Sequence, residues 1–361
     1  MSSYFSYSYH QARQRFLAAA QTLNLLVDSH VLPGYSGAAN EVLATDTVLF
    51  NAEGARSLLV LSSGVHGIEG FCGSACQLAF LNDDDLQRRA RDAHVAVLLV
   101  HAVNPYGFSH LRRTNEDNID INRNCLDFSR VLRDNPAYSA IREHLIPPVW
   151  PETPDNAAWI ADYIACHGAQ AYQSAATSGQ YTDPDGLFYG GTAPAWSNLT
   201  VRRILRETGA GFNDIGWIDF HTGLGPYGHG EKLYAGRPGT DELSRARDWW
   251  GGDVVAPFEG TSVSEVVSGP IAGAIYSECP HARSTSLALE YGTVPFSGIL
   301  DALRGDQWLT RHRDTSEAQR ALLKQQIRGA FYRDEDPWRG MVLGQARVAV
   351  LQALMGLGRG R

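Results

Sequence analysis

The chain has 361 residues, of which 44% are hydrophobic and 19% are charged, an ordinary composition for a globular protein. A net charge of −8 and the absence of any basic run argue against nucleic acid as a partner. The N-terminus lacks the apolar core of a signal peptide, and no apolar run is long enough to cross a membrane. Because the five cysteines are also scattered, we expect a cytoplasmic protein with reduced thiols and no membrane partner.

Apolar spacing predicts the elements of the first half of the chain. An amphipathic helix is expected over 4–29 and is ended by Pro33-Gly34. A further helix is expected at 72–81. Three strands are expected, at 41–50, 57–63 and 95–100. The last two strands are nearly all apolar, which is typical of a mainly parallel sheet that is covered on both faces.

The second half is predicted to contain helical cover and the remaining strands. A mostly helical insert is expected at 127–214, a long loop or lid at 251–269, and a helical tail from Ser297. Three more strands are expected, at 216–220, 231–234 and 286–289. No linker composition marks a second domain, so residues 1–361 are predicted to form a single domain.

A glycine-rich turn, Gly64–Gly70, follows the strand at 57–63 and contains His66 and Glu69. A neutral imidazole and a carboxylate held three residues apart are suitable zinc ligands. One such pair in a chain of this length is roughly an even chance, so the hypothesis depends on further ligands.

Polar residues follow four of the predicted strands, and the carboxyl ends of parallel strands form the crevice where open α/β sheets bind ligands. His221 ends one strand, two residues after Asp219 on the same strand face. It is either an ordinary buried histidine or the third ligand of a catalytic zinc site with an open fourth position. Glu290 ends another strand, either paired with an arginine or acting as a general base.

The stretch 112–124 is the densest polar segment of the chain and contains three arginines and four asparagines. Arginine recognises carboxylates with two parallel hydrogen bonds. An arginine can also polarise a carbonyl and stabilise the oxyanion that forms from it.

The motifs of this region resemble the signature of carboxypeptidase A-like zinc metallopeptidases: Asn104-Pro105-x-Gly107, Arg113 and Asp120-x-Asn122-Arg123-Asn124. The ligand order His66-x-x-Glu69 and then His221 is similar to that of the same superfamily. The polar stretch is most similar to a poorly characterised bacterial branch beside the aspartoacylase and succinylglutamate desuccinylase relatives. The resemblance implies a three-layer α/β/α sandwich with a twisted, mixed and mainly parallel sheet of about eight strands.

The resemblance also implies roles for individual residues. One zinc ion would be bound by His66, Glu69 and His221, with Asp120 orienting the imidazole of His66. Glu290 would act first as general base and then as general acid. The substrate-side groups implied are Arg113 on the carbonyl, with Arg112 as its rival, Asn122 and Arg123 on a free carboxylate, and Tyr234 or Tyr291 as an assisting tyrosine.

The leading hypothesis is a zinc-dependent hydrolase that cleaves an amide bond next to a free carboxylate. A carboxypeptidase acting on small peptides and a deacylase of N-acyl amino acids both fit this description. A non-catalytic carboxylate or metal binder on the same fold is the alternative from another class. A serine hydrolase is the third, but its nearest motif, Gly34–Ala38, lacks the final glycine and does not follow a predicted strand. The sequence does not predict an oligomeric state.

Overall fold

The computed structural model describes residues 2–239 and 241–359. Seven strands occur in this part of the chain: β1 (Val27–Ser36), β2 (Val42–Phe50), β3 (Ser57–Ser63), β4 (Val95–His101), β5 (Asp214–Gly223), β6 (Gly230–Tyr234) and β7 (Arg283–Gly292). They form one sheet in the order β1-β2-β4-β3-β5-β7-β6.

The four central strands, β4, β3, β5 and β7, are parallel to one another. The outer pairings, β1 with β2, β2 with β4 and β6 with β7, are antiparallel. The sheet is therefore mixed with a parallel centre, as predicted, and the carboxyl ends of the four parallel strands lie at one edge.

Thirteen α-helices occur in the described residues: α1 (Tyr9–Thr22), α2 (Gly70–Leu81), α3 (Asp84–Asp92), α4 (Pro105–Ser109), α5 (Pro136–Leu145), α6 (Pro154–His167), α7 (Ala169–Thr177), α8 (Trp196–Gly209), α9 (Asp241–Trp250), α10 (Ala274–Glu278), α11 (Phe296–Arg311), α12 (Glu317–Phe331) and α13 (Asp336–Gly358). Four of them, α5 to α8, lie in the predicted insert.

Side chains of each central strand alternate between two hydrophobic clusters on opposite faces of the sheet. On β3, Leu59 and Leu61 belong to the cluster that includes side chains of α1, α2 and α13. Leu58 and Val60 belong to the other cluster, with side chains of α8 and α10. Because successive side chains of a strand point to opposite faces, a strand buried on both sides must be apolar throughout. The predicted three-layer α/β/α sandwich is confirmed.

The first strand was not predicted. The helix expected over 4–29 covers only Tyr9–Thr22, and β1 begins at Val27. Pro33 lies inside β1 instead of ending a helix. It is tolerated there because β1 is an edge strand and because Pro33 lies in the irregular stretch between the paired residues Val31 and Ser36. The described residues thus form seven strands where about eight were expected.

Helix α13 is long and apolar enough to cross a membrane by length and composition alone. Half of its most apolar window is buried in the protein, and it packs against α2 and α9. Its side chains Trp338 and Val342 are fully buried. These contacts are those of a core helix.

Candidate active site

The turn after β3 places His66 and Glu69 at the edge where the parallel strands end. A short 3₁₀ helix, Gly67–Glu69, leads directly into α2. A Cβ at Gly67 would lie 2.1 Å from the carbonyl carbon of Gly107, so only glycine allows the two backbones to approach. The N–H of Ile68 donates to the carbonyl of Arg112 at 2.8 Å. The turn is therefore fixed against the arginine-rich segment.

Strand register brings His221 and Glu290 to the same place. Ser63 of β3 pairs with Phe220 of β5, so His221 lies one residue beyond the end of β3. His221 in turn pairs with Glu290 of β7. Paired residues of neighbouring strands lie about 5 Å apart, so the two side chains are adjacent.

Three donor atoms converge at this edge. Nδ1 of His66 lies 2.8 Å from one carboxylate oxygen of Glu69, and Nδ1 of His221 lies 2.9 Å from the other. The donor atoms all lie within 4.8 Å of one another, and all three residues are buried. Two imidazoles and a carboxylate form a ligand set that zinc binds well. Among residues 2–239 and 241–359 it is the one group of this kind.

Each imidazole directs its other nitrogen towards a buried carboxylate. Nε2 of His221 lies 2.6 Å from Asp219, and Nε2 of His66 lies 3.3 Å from Asp120. Such carboxylates fix the tautomer that leaves Nδ1 free for a metal. Arg113 also contacts Nε2 of His66, at 2.7 Å. Because a guanidinium can only donate, Arg113 and Asp120 favour opposite tautomers of His66.

Two buried carboxyl groups of the centre, those of Glu69 and Asp120, have lowered pKa values. Burial alone would raise the pKa of Glu69, but His66 and His221 hold that pKa well below its ordinary value. Burial likewise opposes ionisation of Asp120, whose pKa is nevertheless lowered by Arg113 and then Arg123. Both carboxylates are therefore ionised at neutral pH.

Glu290 has different surroundings. Burial, and then the negative charge of Glu69, raises its pKa to about 7. One of its carboxylate oxygens accepts a hydrogen bond from the N–H of Leu224 at 3.0 Å. Glu290 is partly exposed to the cleft and has no arginine among its hydrogen-bond or ion-pair partners in the described residues. A carboxyl group whose pKa lies near neutrality can exchange protons during a reaction.

Two arginines from the polar stretch line the same cleft. Arg113 donates to Asp120 at 2.9 Å. Arg123 donates to the carbonyl of Thr177 at 2.7 Å, while its buried Nε has no hydrogen-bond partner in the described residues. Burial lowers the pKa of Arg123 to about 10, so it remains charged at neutral pH. The cleft thus has two fixed positive charges beside the three donor atoms.

Asn122 also lines the cleft. Its Oδ1 accepts the N–H of Ile271 at 2.9 Å, which leaves the amide nitrogen as the end that can donate to a ligand.

Three residues expected to contact substrate have other surroundings. Arg112 is buried, contacts Asp306, Asn118 and Gln307, and is not among the residues that line the cleft. Tyr291 is fully buried in the core because it alternates with Glu290 along β7 and points to the opposite face. Tyr234 lines the cleft, but its hydroxyl donates to the carbonyl of Arg237 at 3.1 Å.

The helical insert contributes cleft residues that sequence analysis missed. The ring of Phe188 lies 4.9 Å from the guanidinium carbon of Arg113 and 5.4 Å from that of Arg123. Such contacts attract the cation to the ring and fix its plane. Phe188 follows no motif and no apolar period, so no sequence signal pointed to it.

The cleft as a whole has a cavity of about 200 Å³. The donor atoms and arginines occupy its polar part. The remaining lining is largely apolar and comes from β6, β7, α11 and the loop before α10, including Leu233, Ala288, Ile299, Val266 and Ile271. The predicted loop at 251–269 does contribute to the wall of the cleft.

Comparison with solved structures supports the fold. Thrombin activatable fibrinolysis inhibitor superposes with a TM-score of 0.50 at 14% identity, covering 98% of this chain and 75% of that chain. Carboxypeptidase A from Helicoverpa armigera superposes with a TM-score of 0.44 at 12% identity, and the match covers 90% of this chain and 74% of that chain. A metallo-carboxypeptidase from Burkholderia cenocepacia superposes with a TM-score of 0.40 at 12% identity, and the match covers 98% of this chain and 70% of that chain. Of these three structures, thrombin activatable fibrinolysis inhibitor alone reaches a TM-score of 0.50, and this likeness confirms the expected resemblance at the level of the fold.

No protein with a curated description matches the sequence at a significant level. A family model described as "Protein of unknown function (DUF2817)" matches residues 5–345. Because this match spans nearly the whole chain, the protein belongs to the DUF2817 family.

Proposed function

We propose that the protein is a zinc-dependent hydrolase that cleaves an amide bond next to a free carboxylate. The observation that carries this proposal is the convergence of His66, Glu69 and His221 beside Glu290, in one cleft with Arg113 and Arg123. A purely structural zinc site would have four protein ligands and no free carboxylate beside it.

The ligand set fits one zinc ion. His66 and His221 would bind it through Nδ1 and Glu69 through its carboxylate. The Nε2 protons would then be donated to Asp120 and Asp219, and the contact of Arg113 with Nε2 of His66 would be given up. A zinc ion held there would supply a Lewis acid that polarises a carbonyl and makes water more acidic.

Glu290 is the group that would move protons. It lies beside His221 and is partly exposed to the cleft. A pKa near neutrality allows it to accept a proton from the attacking water and then to donate it to the leaving amine.

The arginines would bind and polarise the substrate. Arg113 lies against the ligand turn, where contacts with Asp120, Glu69 and His66 use three of its five N–H donors; the other two would stabilise negative charge that develops on the carbonyl oxygen. Arg123, with its unpaired Nε, and the amide nitrogen of Asn122 are suited to the free carboxylate of the substrate. Their fixed positions set the distance between the carboxylate and the bond that is cleaved.

The apolar lining supports substrates with an apolar group near the scissile bond. Leu233 and Ala288 are neighbours in the β6–β7 pairing, and both line the cleft. Burying a charged side chain against such a wall without a partner would be costly. We therefore expect a small peptide ending in an apolar residue, or an N-acyl derivative of an apolar amino acid.

Metal analysis followed by a substrate screen tests the proposal. The zinc-loaded protein is offered N-acyl dipeptides that end in Phe, Leu, Ala, Lys or Glu, and the matching N-acyl amino acids. We expect hydrolysis that stops on chelation and returns with zinc, and the series that is cleaved distinguishes a carboxypeptidase from a deacylase. Stoichiometric zinc without hydrolysis of either series would favour the non-catalytic binder.

Hydrolysis that chelation does not affect would point to another mechanism, such as a serine hydrolase. The geometry does not favour that class, because Gly34–Ala38 comprises the end of β1 and the start of the turn to β2 and does not lead from a strand into a helix.

A further inference from the structure

Glu231 has a buried carboxylate for which the proposed reaction has no use. It lies in β6 and pairs directly with Glu290 of β7, so both side chains are on the same face of the sheet. Only 8% of Glu231 is exposed. Two like charges opposite each other on one face are unfavourable, so a carboxylate at this position needs compensating hydrogen bonds.

The compensating donors come from the loop between α9 and α10. The hydroxyl of Ser262 donates to Oε1 of Glu231 at 2.6 Å, and the N–H of Val263 donates to the same oxygen at 3.2 Å. The same hydroxyl accepts the N–H of Ser264 at 3.0 Å. The carboxylate therefore orders three consecutive residues of the loop.

This part of the loop, residues 262–271, is here called the strap. One end is held by Glu231 and by Gln173, which donates to the carbonyl of Val263 at 3.1 Å. The other end is held by Cys125, whose N–H donates to the carbonyl of Gly269 at 2.9 Å, and by Asn122, which accepts from Ile271.

Between these anchors, residues 264–267 line the cleft. Within the described residues, their hydrogen bonds run only inside the strap. The position of this cleft wall therefore depends on the anchors at its two ends.

We propose that Glu231 is a positioning residue that holds the strap as the substrate-binding wall of the cleft. The expected effect of Glu231 on substrate binding rests on the proposed function, whereas its effect on the position of the strap does not. Removing the carboxylate leaves Gln173 as the remaining anchor at that end. In the variant, the wall becomes ordered only when substrate binds. The free energy lost in ordering it weakens substrate binding and so raises KM, whereas kcat changes less.

The experiment compares Glu231→Ala and Glu231→Gln with the parent protein in two measurements. Hydrogen exchange follows the two hydrogen-bonded backbone amides of the strap, those of Val263 and Ser264, and steady-state kinetics uses the best N-acyl substrate of the screen. For Glu231→Ala we expect about tenfold faster exchange and about a tenfold higher KM, with kcat within about threefold. Glu231→Gln keeps one acceptor and should recover part of both effects.

Asp253→Asn is the matched control. It removes an exposed carboxylate from the same loop, where Asp253 pairs with Lys232 outside the strap, and should change neither measurement. Ser262→Ala removes one contact of the carboxylate and serves if Glu231→Ala does not fold. Its expected changes have the same sign and are smaller.

Unchanged exchange in Glu231→Ala, or in Ser262→Ala when the former does not fold, would overturn the proposal. A fall in kcat at constant KM would also overturn it, since Glu231 would then act on Glu290 and not through the strap. If no substrate is hydrolysed, the proposed function fails, and exchange alone decides whether Glu231 holds the strap.

Discussion

Glu69 and Glu290 are carboxylates of one cleft whose surroundings shift their pKa values in opposite directions. Two imidazoles lower the pKa of Glu69, whereas burial and the charge of Glu69 raise that of Glu290. Two carboxyl groups whose pKa values are shifted apart in this way can take different tasks in one reaction. The ionised carboxylate suits a metal ligand, and the one that titrates near neutrality suits a proton carrier.

The substitution Glu290→Gln separates these tasks. The amide keeps the shape and the contact with Leu224 but cannot accept a proton, so we expect kcat to fall by roughly 10²–10⁴-fold. Zinc content, measured by elemental analysis, should not change. Glu207→Gln, at an exposed site on α8, is the control. Full turnover in Glu290→Gln would remove Glu290 from the mechanism.

The raised pKa of Glu290 also predicts a pH dependence. Only the ionised carboxylate can act as base, so kcat/KM should fall as the pH decreases through the pKa of Glu290. That pKa is about 7 without a metal, and a bound cation would lower it, so the acid limb should lie below about pH 7. A profile of kcat/KM between pH 4 and 9 measures it. The residual activity of Glu290→Gln should lack this acid limb. If the variant shows an acid limb at the same pH as the parent protein, the limb belongs to another group.

At the scale of the element, strand β7 divides its residues between core and cleft. Leu287, Leu289 and Tyr291 are buried, whereas Ala288 and Glu290 are partly exposed. This follows from the two-residue period of a strand. One strand therefore places the proposed base and a wall of the apolar pocket on the same face, two residues apart.

The substitution Ala288→Leu tests that wall. The larger side chain occupies pocket volume, so the preference for Phe over Ala at the substrate's apolar position should fall by roughly tenfold. The ratio of kcat/KM values for the two substrates measures it. Ala288→Ser keeps the volume and serves as the control. An unchanged ratio in Ala288→Leu would place the apolar group of the substrate elsewhere in the cleft.

At the scale of the whole molecule, the proposed zinc ligands connect distant parts of the chain. His66 and His221 are 155 residues apart; His66 follows strand β3, and His221 lies in the adjacent parallel strand β5. A ligand that binds only the folded state stabilises it by mass action, by about 2.7 kcal/mol at 100 times the dissociation constant. Metal binding and global stability should therefore be linked.

Thermal unfolding with and without a chelator measures this link. We expect removal of zinc to lower the Tm by a few degrees, since about 1 kcal/mol corresponds to roughly 2–4 °C in domains of 150–250 residues. The variant His66→Ala should show a low Tm that the chelator does not change further. An identical Tm for the zinc-loaded and chelated proteins would argue against zinc at this centre.

Local sequence predicted most of the fold. The strand at 57–63 was placed correctly because its residues are continuously apolar and glycines follow it. The edge strand β1 was missed: its first three residues were assigned to a helix and the others to no element, since an edge strand is largely exposed and its apolar period is weak. Strand pairing, and not local pattern, stabilises such an element.

The sequence by itself determined the candidate chemistry: the His66 and Glu69 pair, His221, Glu290 and the arginine-rich stretch could all be identified from residue type, spacing and position after strands. Tertiary structure alone decided which arginines face the cleft, that Tyr291 is in the core, and that Phe188 and the strap complete the wall. The physical reason is the distance along the chain over which the relevant contacts act. Ligand identity is set by local chemistry, whereas the wall of a cleft is formed by loops whose positions depend on contacts between residues far apart in sequence.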